Sequence, residues 1–547
     1  MSIPTRARVI FLLTLAAAPF LASPGPAVAS GLSAIAAGDS HTCAIVQGGA
    51  VQCWGLNENG QLGNGAEGPS DPNPIPGLVV DGTGGVLRNV TAISAGLAHT
   101  CALVGGTGGV KCWGKNFHGQ LGDGQACGDM NCPAPVEVSG LSSGVIAISS
   151  GTNHTCALTS AGGVRCWGLN NFGQLGTQTL EFCVILSFSF PCSTVPVDVN
   201  SLDSGVVAIA AGIEHTCAVL GTGGIRCWGA NYRGQLGNGT TIDSTDPVDV
   251  CQVYDDVGQS CTQLLSGAAG AIAARGHTCA VVEPTSDPAE TGVRCWGRNE
   301  AGQIGGQGGT CCFAGAYRAT PQDMEGLPAG VTVLGLGNGH SCVVLPQNGA
   351  IQCWGLNDGG QLGDGTTDTP WPTPRDVVGL DGPATAVVGG GTHSCALMAD
   401  ASIECWGLNQ SGQLGDGTTE LRTAATEVLI DVDMDQCLAQ RERGPDALQG
   451  GERDPKNGWD FFDTPDALNV HDRVVTAGDL ARVVARFGAT GDPDIDPLSE
   501  PALAPAYHTA FDRTLVGPNL WNAGPPNGSI TAQDLGLIVA QFGHSCA

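Results

Sequence analysis

Residues 41–55 read His-Thr-Cys-Ala-Ile-Val-Gln-Gly-Gly-Ala-Val-Gln-Cys-Trp-Gly. Two short apolar runs flank the Gly48-Gly49 pair, and each run carries one cysteine. This pattern predicts a β-hairpin. Directly opposed residues of antiparallel strands lie within reach of a disulfide bond, so we expect Cys43 and Cys53 to be joined.

The same hairpin signature occurs seven times. In each copy a His-Thr-Cys or His-Ser-Cys triplet precedes Cys-Trp-Gly, which is followed by Asn and then by Gly-Gln-Leu-Gly or Gly-Gln-Ile-Gly. The histidines are His41, His99, His154, His215, His277, His340 and His393, and the tryptophans are Trp54, Trp113, Trp167, Trp228, Trp296, Trp354 and Trp406. Successive histidines are 53 to 63 residues apart. This period is typical of propeller blades, so the sequence predicts an all-β, seven-bladed β-propeller over residues 30–430.

Each repeat offers one histidine and two cysteines, which bind zinc in other proteins. Zinc would need a fourth ligand and a reducing or protected setting, so we expect seven disulfides and no cofactor in the propeller. The expected pairs are Cys43–Cys53, Cys101–Cys112, Cys156–Cys166, Cys217–Cys227, Cys279–Cys295, Cys342–Cys353 and Cys395–Cys405. Because catalysis needs one asymmetric site, a histidine repeated seven times is interpreted as structural. The tryptophans are interpreted as packing between blades.

The N-terminus has the features of a secretory signal peptide. Arg6 and Arg8 precede an apolar run over residues 9–22, and Ala27-Val28-Ala29 has the small-x-small pattern of a cleavage site. The run is too short for a membrane span. We therefore expect residues 1–29 to be removed after Ala29 and the protein to be secreted, without a transmembrane segment. The 24 cysteines agree with an oxidising compartment.

The repeat Ala-Gly-x-x-His-Thr-Cys-Ala-Leu, followed by Cys-Trp-Gly-x-Asn-x-x-Gly-Gln-Leu-Gly, resembles that of the regulator of chromosome condensation family. The resemblance covers roughly residues 31–430 and implies a seven-bladed β-propeller that binds proteins through the faces of its disc. In the fifth repeat, Ala273-Ala274-Arg275-Gly276 replaces the usual residues before His277. The founding member's exchange-factor and chromatin roles are not expected here, because the chain is predicted to be secreted and carries a net charge of −29. That charge also disfavours nucleic-acid binding.

Insertions interrupt the repeats at residues 125–134, 178–195, 251–264 and 306–319. The expected local disulfides are Cys127–Cys132, Cys183–Cys192 and Cys251–Cys261, whereas the pairing of Cys311 and Cys312 stays open. The second insertion is strongly apolar for a surface loop. If this loop is exposed, it forms an interaction patch; the alternative is that it folds over the propeller and is buried. Its candidate partner-binding residues are Phe182, Ile185, Leu186, Phe188 and Phe190.

A second domain is predicted over residues 431–547, where helix-like periodicity appears and 18 acidic residues face 8 basic ones. Its first segment places Asp431, Asp433, Asp435 and Glu442 at positions 1, 3, 5 and 12 of a calcium loop, with the Cys437 carbonyl at position 7. Gln436 stands where such loops need glycine, so an acidic linker is the alternative.

Two similar segments in this domain, over residues 472–488 and 527–543, resemble the duplicated loop-helix of dockerin-type modules. That resemblance adds Asp479 and Asp534 as candidate ligands, although Ala523 and Pro525 replace acids in the second copy. Cys437 and Cys546 are the remaining cysteines and are expected to pair.

These features predict a secreted, disulfide-stapled propeller that binds an extracellular protein or a cell-surface component without catalysis. Its oligomeric state is not specified by the sequence. The alternative is an extracellular hydrolase or a component of polysaccharide degradation with a dockerin-like tail, although no nucleophile–base or carboxylate pair stands out from the repeats.

Calcium is expected to raise the melting temperature of the isolated segment 431–547, because an acidic loop without its ion repels itself. Melting curves in millimolar calcium and in chelator test this expectation. Identical curves would reduce the segment to an acidic linker with docked helices.

Overall fold

The computed structural model describes residues 34–430, apart from 69–71, 125–130, 180, 186–187, 256, 259, 275, 283–291, 307–311 and 314, together with 514–515 and 523–524. Within these residues the chain forms seven antiparallel sheets in sequence order, as the repeats predict. The only helical turn described is the 3-10 turn Gln47–Gly49, and none of the described segments is a helix capable of crossing a membrane. The predicted signal peptide and almost all of the predicted C-terminal domain lie outside the described residues.

Six of the blades contain four consecutive strands, from the central axis outward, and blade 3 contains five. Blade 1 contains β1 (Ala34–Ala37), β2 (His41–Val46), β3 (Ala50–Gly55) and β4 (Asn73–Leu78), and blade 2 contains β5 (Val90–Ala95), β6 (His99–Val104), β7 (Gly109–Lys115) and β8 (Asn131–Glu137). Blade 3 contains β9 (Val145–Ser150), β10 (His154–Thr159), β11 (Val164–Leu169), β12 (Glu181–Ile185) and β13 (Phe188–Asp198). Blade 4 contains β14 (Val206–Ala211), β15 (His215–Leu220), β16 (Ile225–Gly229) and β17 (Ser244–Asp249), followed by a separate hairpin of β18 (Cys251–Asp255) and β19 (Ser260–Leu264).

The remaining blades repeat this arrangement. Blade 5 contains β20 (Ala268–Ala274), β21 (His277–Val282), β22 (Val293–Arg298) and β23 (Tyr317–Asp323), and blade 6 contains β24 (Val333–Leu336), β25 (His340–Val344), β26 (Ile351–Gly355) and β27 (Trp371–Asp376). Blade 7 contains β28 (Ala384–Gly389), β29 (His393–Met398), β30 (Ile403–Gly407) and β31 (Arg422–Glu427). A further short pair joins β32 (Thr514–Leu515) to β33 (Ala523–Gly524).

The second and third strands of each blade form the hairpin that the sequence predicts. Cys43 lies opposite Cys53 in the register of blade 1, and the two are disulfide-bonded with their Cα atoms 4.1 Å apart. The hairpin pairs of the other six blades are bonded in the same way. The bridge in blade 5 spans 16 residues rather than 10 or 11, so the longer turn there leaves the cysteines in register.

The hydrophobic core lies between adjacent blades. One cluster combines Ile45, Val51 and Leu62 of blade 1 with Ala102 and Trp113 of blade 2. Another combines residues of blade 7 with Trp54 of blade 1. All seven Cys-Trp-Gly tryptophans are fully buried, which agrees with their predicted packing role.

The seven repeated histidines form a ring of hydrogen bonds between neighbouring blades. His41 Nε2 lies 2.9 Å from Thr100 Oγ1 of blade 2, and His393 Nε2 lies 2.9 Å from Thr42 Oγ1, which closes the circle from blade 7 to blade 1. The other pairs are His99–Thr155, His154–Thr216, His215–Thr278, His277–Ser341 and His340–Ser394. In each pair, the threonine or serine that follows one histidine is hydrogen-bonded to the histidine of the preceding blade.

A backbone carbonyl completes each junction. Thr42 Oγ1 donates to the Gln413 carbonyl at 2.9 Å, and Trp54 Nε1 donates to the same oxygen at 2.9 Å. The hydroxyl has one hydrogen, with which it donates a hydrogen bond to the carbonyl. It must therefore accept a hydrogen bond from His393, and the imidazole carries its hydrogen on Nε2. The same order recurs at Gln61, Gln120, Gln174, Gln235, Gln303 and Gln361.

Burial keeps four of these imidazoles neutral. It lowers the pKa of His99, His215 and His277 to about 3, and the pKa of His154 to about 4. A neutral, buried ring whose Nε2 is hydrogen-bonded to the next blade is a structural element, as the repetition of the histidine indicates.

Glycine is required beside this junction. Gly55 follows the core tryptophan with φ +103°, and a Cβ atom there would lie 2.6 Å from the Ser40 carbonyl oxygen. Gly38 packs directly on the imidazole of His41, so that a side chain would displace the ring. The recurring Ala-Gly-x-x-His spacing of the repeats follows from this contact.

The described propeller closes without exchanging a strand between its ends, because blade 1 uses residues 34–78 and blade 7 uses residues 384–427. Closure depends on the His393–Thr42–Gln413 junction and on backbone bonds at the rim. Asn73 N donates to Ser411 O at 3.2 Å, and Gly417 N donates to Pro74 O at 3.0 Å.

Replacing Thr42 with valine keeps the side-chain volume but leaves the Nε2 hydrogen of His393 without an acceptor. We expect Thr42→Val to lower the free energy of unfolding by about 1–3 kcal/mol, measured by urea denaturation. Thr241→Val, at an exposed position, is the matched control and should change it by less than about 0.5 kcal/mol. Equal midpoints for both variants would contradict a role for the junction in stability.

Candidate functional site

The best candidate site begins at a turn that follows the third strand of every blade. In blade 1, Asn57 Oδ1 accepts from Leu62 N at 3.1 Å, its Nδ2 donates to Ala66 O at 2.9 Å, and Gln61 Oε1 accepts from Asn59 N at 2.9 Å. These bonds fix Asn-x-x-Gly-Gln as a rigid turn and leave the two intervening side chains at the surface. Because the third strands all end on the same side of the disc, the seven turns occupy one face, here called the turn face.

The variable dipeptides of these turns differ between the two halves of the disc. Blades 2, 3 and 4 carry Phe117-His118, Asn171-Phe172 and Tyr232-Arg233, whereas blades 5, 6, 7 and 1 carry Glu300-Ala301, Asp358-Gly359, Gln410-Ser411 and Glu58-Asn59. Aromatic rings at this position are therefore confined to three consecutive blades. Phe172 and Tyr232 contact each other across the blade boundary, with ring centroids 6.3 Å apart.

The apolar insertion of blade 3 is a β-ribbon, not the surface loop that its sequence suggests. Its residues form β12 and the first half of β13, which extend blade 3 to five strands. Side chains point alternately to the two faces of β12. Phe182 and Val184 lie on one face and are 57% and 68% exposed. Phe190 is half-buried, and its ring lies edge-on to His118 of blade 2 at 5.6 Å. The ribbon is thus neither wholly exposed nor folded over the core.

The insertions of blades 4 and 5 meet at a cavity of about 510 Å³. Tyr254 of the β18–β19 hairpin lies against Gly239, where no side chain could fit beside the ring. Phe313 and Tyr317 line the cavity from blade 5. Disulfide bonds hold this region, because Cys251 is joined to Cys261 and Cys312 is also disulfide-bonded.

Cationic side chains on this face are paired with carboxylates or rings. Glu300 binds Arg233 at 3.1 Å and Arg298 at 2.7 Å, and it accepts a further bond from Gly315 N at 3.0 Å. Lys115 Nζ lies 5.1 Å from the ring centre of Phe117. Burial and the Glu214 carboxylate, which accepts a hydrogen bond from the Tyr232 hydroxyl at 2.9 Å, raise the pKa of Tyr232 to about 12.

We call the aromatic side chains of this face the aromatic crescent: Phe117, Phe172, Phe182, Phe190, Tyr232, Tyr254, Phe313 and Tyr317. Apart from the seven core tryptophans, the described side chains of the propeller include one other aromatic residue, Trp371 of blade 6. The crescent therefore holds nearly all of the surface aromatic area that the structure describes, on four of seven blades.

The predicted partner-binding residues fall on this crescent only in part. Phe182 and Phe190 belong to it. Ile185 and Phe188 face each other at the tip of the ribbon, with side chains outside the described set, and Leu186 lies outside the described residues. The sequence reasoning missed the turn aromatics and Tyr254, Phe313 and Tyr317. The turn aromatics could have been identified from the sequence, because the dipeptide before Gly-Gln is aromatic only in blades 2 to 4.

The remaining predicted sites can be placed as follows. Cys183 is bonded to Cys192, and Cys132 is disulfide-bonded, whereas Cys127 and Cys311 lie outside the described residues. The calcium candidates Asp431, Asp433, Asp435, Cys437, Glu442, Asp479 and Asp534, and the expected Cys437–Cys546 bridge, also lie outside them. Within the described residues, no cluster of histidine, cysteine or carboxylate side chains has the arrangement of a metal site.

The central channel is lined by the first strands of the blades. The described lining consists mostly of small side chains, among them Ala37, Ser94, Ser150, Ala211 and Gly335. This composition offers no titratable group along the described wall, in contrast to the charged and aromatic turn face.

Fold and site together define a seven-bladed propeller of the chromosome-condensation type, with insertions on one face. A family model described as RCC1-like domain matches residues 17–379, and a regulator of chromosome condensation (RCC1) repeat matches residues 384–413. The chain belongs to the RCC1-like domain family.

Similar proteins have diverse names. The human E3 ubiquitin-protein ligase HERC2 is 30% identical over 386 residues, which are 70% of this chain but 7% of HERC2. The chain therefore spans only a small part of that relative. The Arabidopsis thaliana ultraviolet-B receptor UVR8 is 28% identical over 385 residues, 70% of this chain and 78% of the receptor. The structure of Prp20p from Saccharomyces cerevisiae matches with a TM-score of 0.56 and 18% identity, covering 74% of this chain and 89% of Prp20p; this similarity shows the fold.

One blade departs from the electrostatic pattern of the others. The residue before the second hairpin cysteine pairs with an acid on the fourth strand in several blades, as Arg165 does with Asp198 at 2.7 Å. In blade 7 that position is Glu404, which is 2% exposed and lies opposite Glu427. Burial, together with the nearby carboxylates of Asp381, Glu427 and Asp400, raises the pKa of Glu404 to about 7.

A raised pKa means that the folded state holds a proton on Glu404 that the unfolded state releases above about pH 4.5. The stabilising contribution is therefore present at pH 4 and is lost as the pH rises through 7. Glu404→Gln should increase the free energy of unfolding at pH 8 by about 2–3 kcal/mol and leave it nearly unchanged at pH 4. Gln352→Glu, which places a carboxylate opposite Asp376 in blade 6, is the reciprocal control and should destabilise at pH 8. An equal effect of Glu404→Gln at both pH values would contradict the titration.

Proposed function

We propose that this protein is a secreted binding module whose propeller presents the aromatic crescent to an extracellular protein or a cell-surface component, without catalysis. The single observation behind the proposal is the concentration of the described surface aromatics on the turn face of blades 2 to 5. Aromatic residues are enriched at protein interfaces and supply a large share of their binding energy. Isolated exposed apolar residues would not support the same proposal.

The crescent is also pre-organised. The ribbon of blade 3 is closed by Cys183–Cys192 and the hairpin of blade 4 by Cys251–Cys261, while the turn dipeptides stand on hydrogen-bonded Asn-x-x-Gly-Gln turns. A rigid surface loses little conformational freedom on binding, so more of the contact energy contributes to affinity.

Charge distinguishes the crescent from the chain as a whole. The chain carries a net charge of −29, but Arg233, Arg298 and Lys115 lie among the aromatics of this face. An acidic exterior repels like surfaces and keeps the protein soluble. An aromatic patch in which positive and negative charges balance is then the preferred contact area.

The relatives support binding in general rather than a particular partner. Prp20p is described for its binding to Gsp1p and histones, and HERC2 and UVR8 are named a ligase and a receptor. None of these partners or activities transfers to the residues of this crescent, which stand mainly in insertions and variable dipeptides.

Secretion belongs to the same proposal. Nine complete disulfide bridges among the described residues suit an extracellular or otherwise oxidising environment, and residues 1–29 have the composition of a signal peptide. The calcium-binding, dockerin-like character of residues 431–547 stays a prediction from sequence. The alternative function, as a component of polysaccharide degradation, also stays a prediction from sequence.

Phe182→Ser should abolish capture of the partner. Its side chain is more than half exposed at the sheet edge, so its loss removes contact area without opening the core. The protein is immobilised, exposed to the secreted fraction of the cells that produce it, and the retained proteins are quantified by mass spectrometry. The control is Ile75→Ser, at a position 52% exposed on the fourth strand of blade 1. Retention of the same partner at equal yield by Phe182→Ser and the wild type would contradict the proposal, provided that both melt at the same temperature.

A further inference from the structure

A polar cleft of about 340 Å³ lies between blades 3 and 4 on the turn face. It is lined by Asn171, Phe172, Gln178, Pro191, Asp243 and Thr245. The ribbon insertion provides one wall, because Asn170 N donates to Pro191 O at 2.8 Å and ties the start of the turn to β13. Blade 4 provides the other wall, where Thr245 lies so close to Gly173 that a Cβ atom on this glycine would be 2.5 Å from the threonine.

The floor of this cleft is aromatic and fixed. The Phe172 ring is half-buried and tilted by 49° against Tyr232. Tyr232 is held in turn by its hydrogen bond to Glu214. The Phe172 ring is therefore contacted by a side chain of the neighbouring blade, and its exposed part lines the cleft.

The walls carry polar groups that are free to bind a ligand. Asn171 and Gln178 are exposed, and within the described residues their amides form no hydrogen bond to protein. Asp243 uses Oδ1 to accept from Asn231 N at 2.6 Å, which leaves Oδ2 as an acceptor. Thr245 adds a hydroxyl, and none of the lining residues is cationic.

These groups restrict the chemistry of the occupant. An anion would meet the Asp243 carboxylate without a compensating cation. A purely apolar group would leave the amides and the hydroxyl desolvated without partners, which costs free energy. A neutral ligand with several hydroxyls and one C–H-rich face satisfies both the walls and the ring, whose negatively polarised face attracts C–H groups.

We infer that this cleft binds a sugar ring of a neutral oligosaccharide, with the C–H face of the pyranose on Phe172 and its hydroxyls on Asn171, Gln178, Asp243 and Thr245. The volume suits a ligand of that size and lies in the range of small-molecule sites. Phe172 belongs to both the cleft and the aromatic crescent, but the inference can be tested separately from the proposed protein partner, because the Phe182 side chain does not line the cleft.

The other blades do not repeat the site. Blades 5, 6, 7 and 1 have no ring in the turn dipeptide. The residue equivalent to Phe172 is Arg233 in blade 4 and His118 in blade 2, where the Phe190 ring lies edge-on to it. We therefore expect a single sugar-binding subsite per chain. Gln410 of blade 7 occupies the turn position that corresponds to Asn171 and serves as a control.

The test uses the full chain on a microarray of neutral oligosaccharides (glucans, mannans, galactans and xylans) beside uronate-containing and sulfated ones. The best neutral ligand is then titrated by calorimetry. Phe172→Leu keeps an apolar side chain but removes the π face and should weaken binding about fivefold. Asn171→Ala should weaken it about two- to tenfold, whereas Gln410→Ala and Phe182→Ser should have no effect.

Melting temperatures of all variants should match the wild type, and Asn171→Ala, at an exposed position, keeps the test valid if Phe172→Leu is destabilised. Three results would overturn the inference: no neutral saccharide retained at millimolar concentration, retention of acidic saccharides only, or equal affinity of the wild type and Asn171→Ala. Loss of protein capture by Phe182→Ser with intact sugar binding would separate this site from the protein-binding surface.

Discussion

Each boundary between blades depends on one backbone carbonyl that accepts two hydrogen bonds. The Gln413 carbonyl receives the Thr42 hydroxyl and the Trp54 indole, and the hydroxyl in turn receives the His393 imidazole. A buried carbonyl, hydroxyl and imidazole would each be costly alone. Arranged in series, the carbonyl, the hydroxyl and the imidazole Nε2 bond to one another, and the order of donors fixes the direction of the ring from each blade to the next. Because blades 7 and 1 share no strand, the same junction that spaces the blades also closes the disc.

This construction explains how the chain tolerates its insertions. The junction uses the inner part of each blade, and the hairpin disulfide lies in the same interblade core. Each Asn-x-x-Gly-Gln turn supplies its glutamine carbonyl to the junction. The variable dipeptides of these turns and the fourth strands supply no side chain to it, so residues can differ or be added there without disturbing closure. Blade 3 gains a strand and blade 4 gains a hairpin at this outer zone. The polar cleft and part of the aromatic crescent arise from these additions, whereas Phe117, Phe172 and Tyr232 stand in the variable turn dipeptides. The proposed function is thus placed where the repeat is least constrained.

Much of this fold could be predicted from the sequence because its strongest signals are local. Cys43 and Cys53 flank a two-glycine turn, so the hairpin and its bridge follow from one 15-residue stretch, and seven copies give the number of blades. The junction could not be predicted in the same way. The partner of His41 is 59 residues away, and the carbonyl of Gln61 that completes the same junction is a backbone atom that carries no sequence signature. The residue type after each histidine, always threonine or serine, was the visible trace of it.

The candidate site could be predicted from the sequence to a smaller extent than the fold. Its apolar ribbon was found from composition, but the alternation of Phe182, Val184 and Phe190 with Cys183 and Ser189 is a strand pattern that a loop interpretation overlooked. Phe172 and Tyr232 belong to different repeats, and their contact depends on the rotation that relates adjacent blades. Asp243 and Gln178 line one cleft only because the insertion of blade 3 stands beside the fourth strand of blade 4. Such juxtapositions come from the assembled disc and not from any one repeat.

The ionisation state of the seven ring histidines tests the central junction most directly. Nitrogen-15 NMR of the imidazoles at pH 5.5, where an ordinary histidine with a pKa of about 6.5 is mostly protonated, reports both the charge and the nitrogen that carries hydrogen. The structure predicts that His99, His154, His215 and His277 remain neutral, with hydrogen on Nε2 and not on Nδ1. Protonation of these rings at pH 5.5 while the protein is folded, or hydrogen on Nδ1, would contradict the hydrogen-bonded ring.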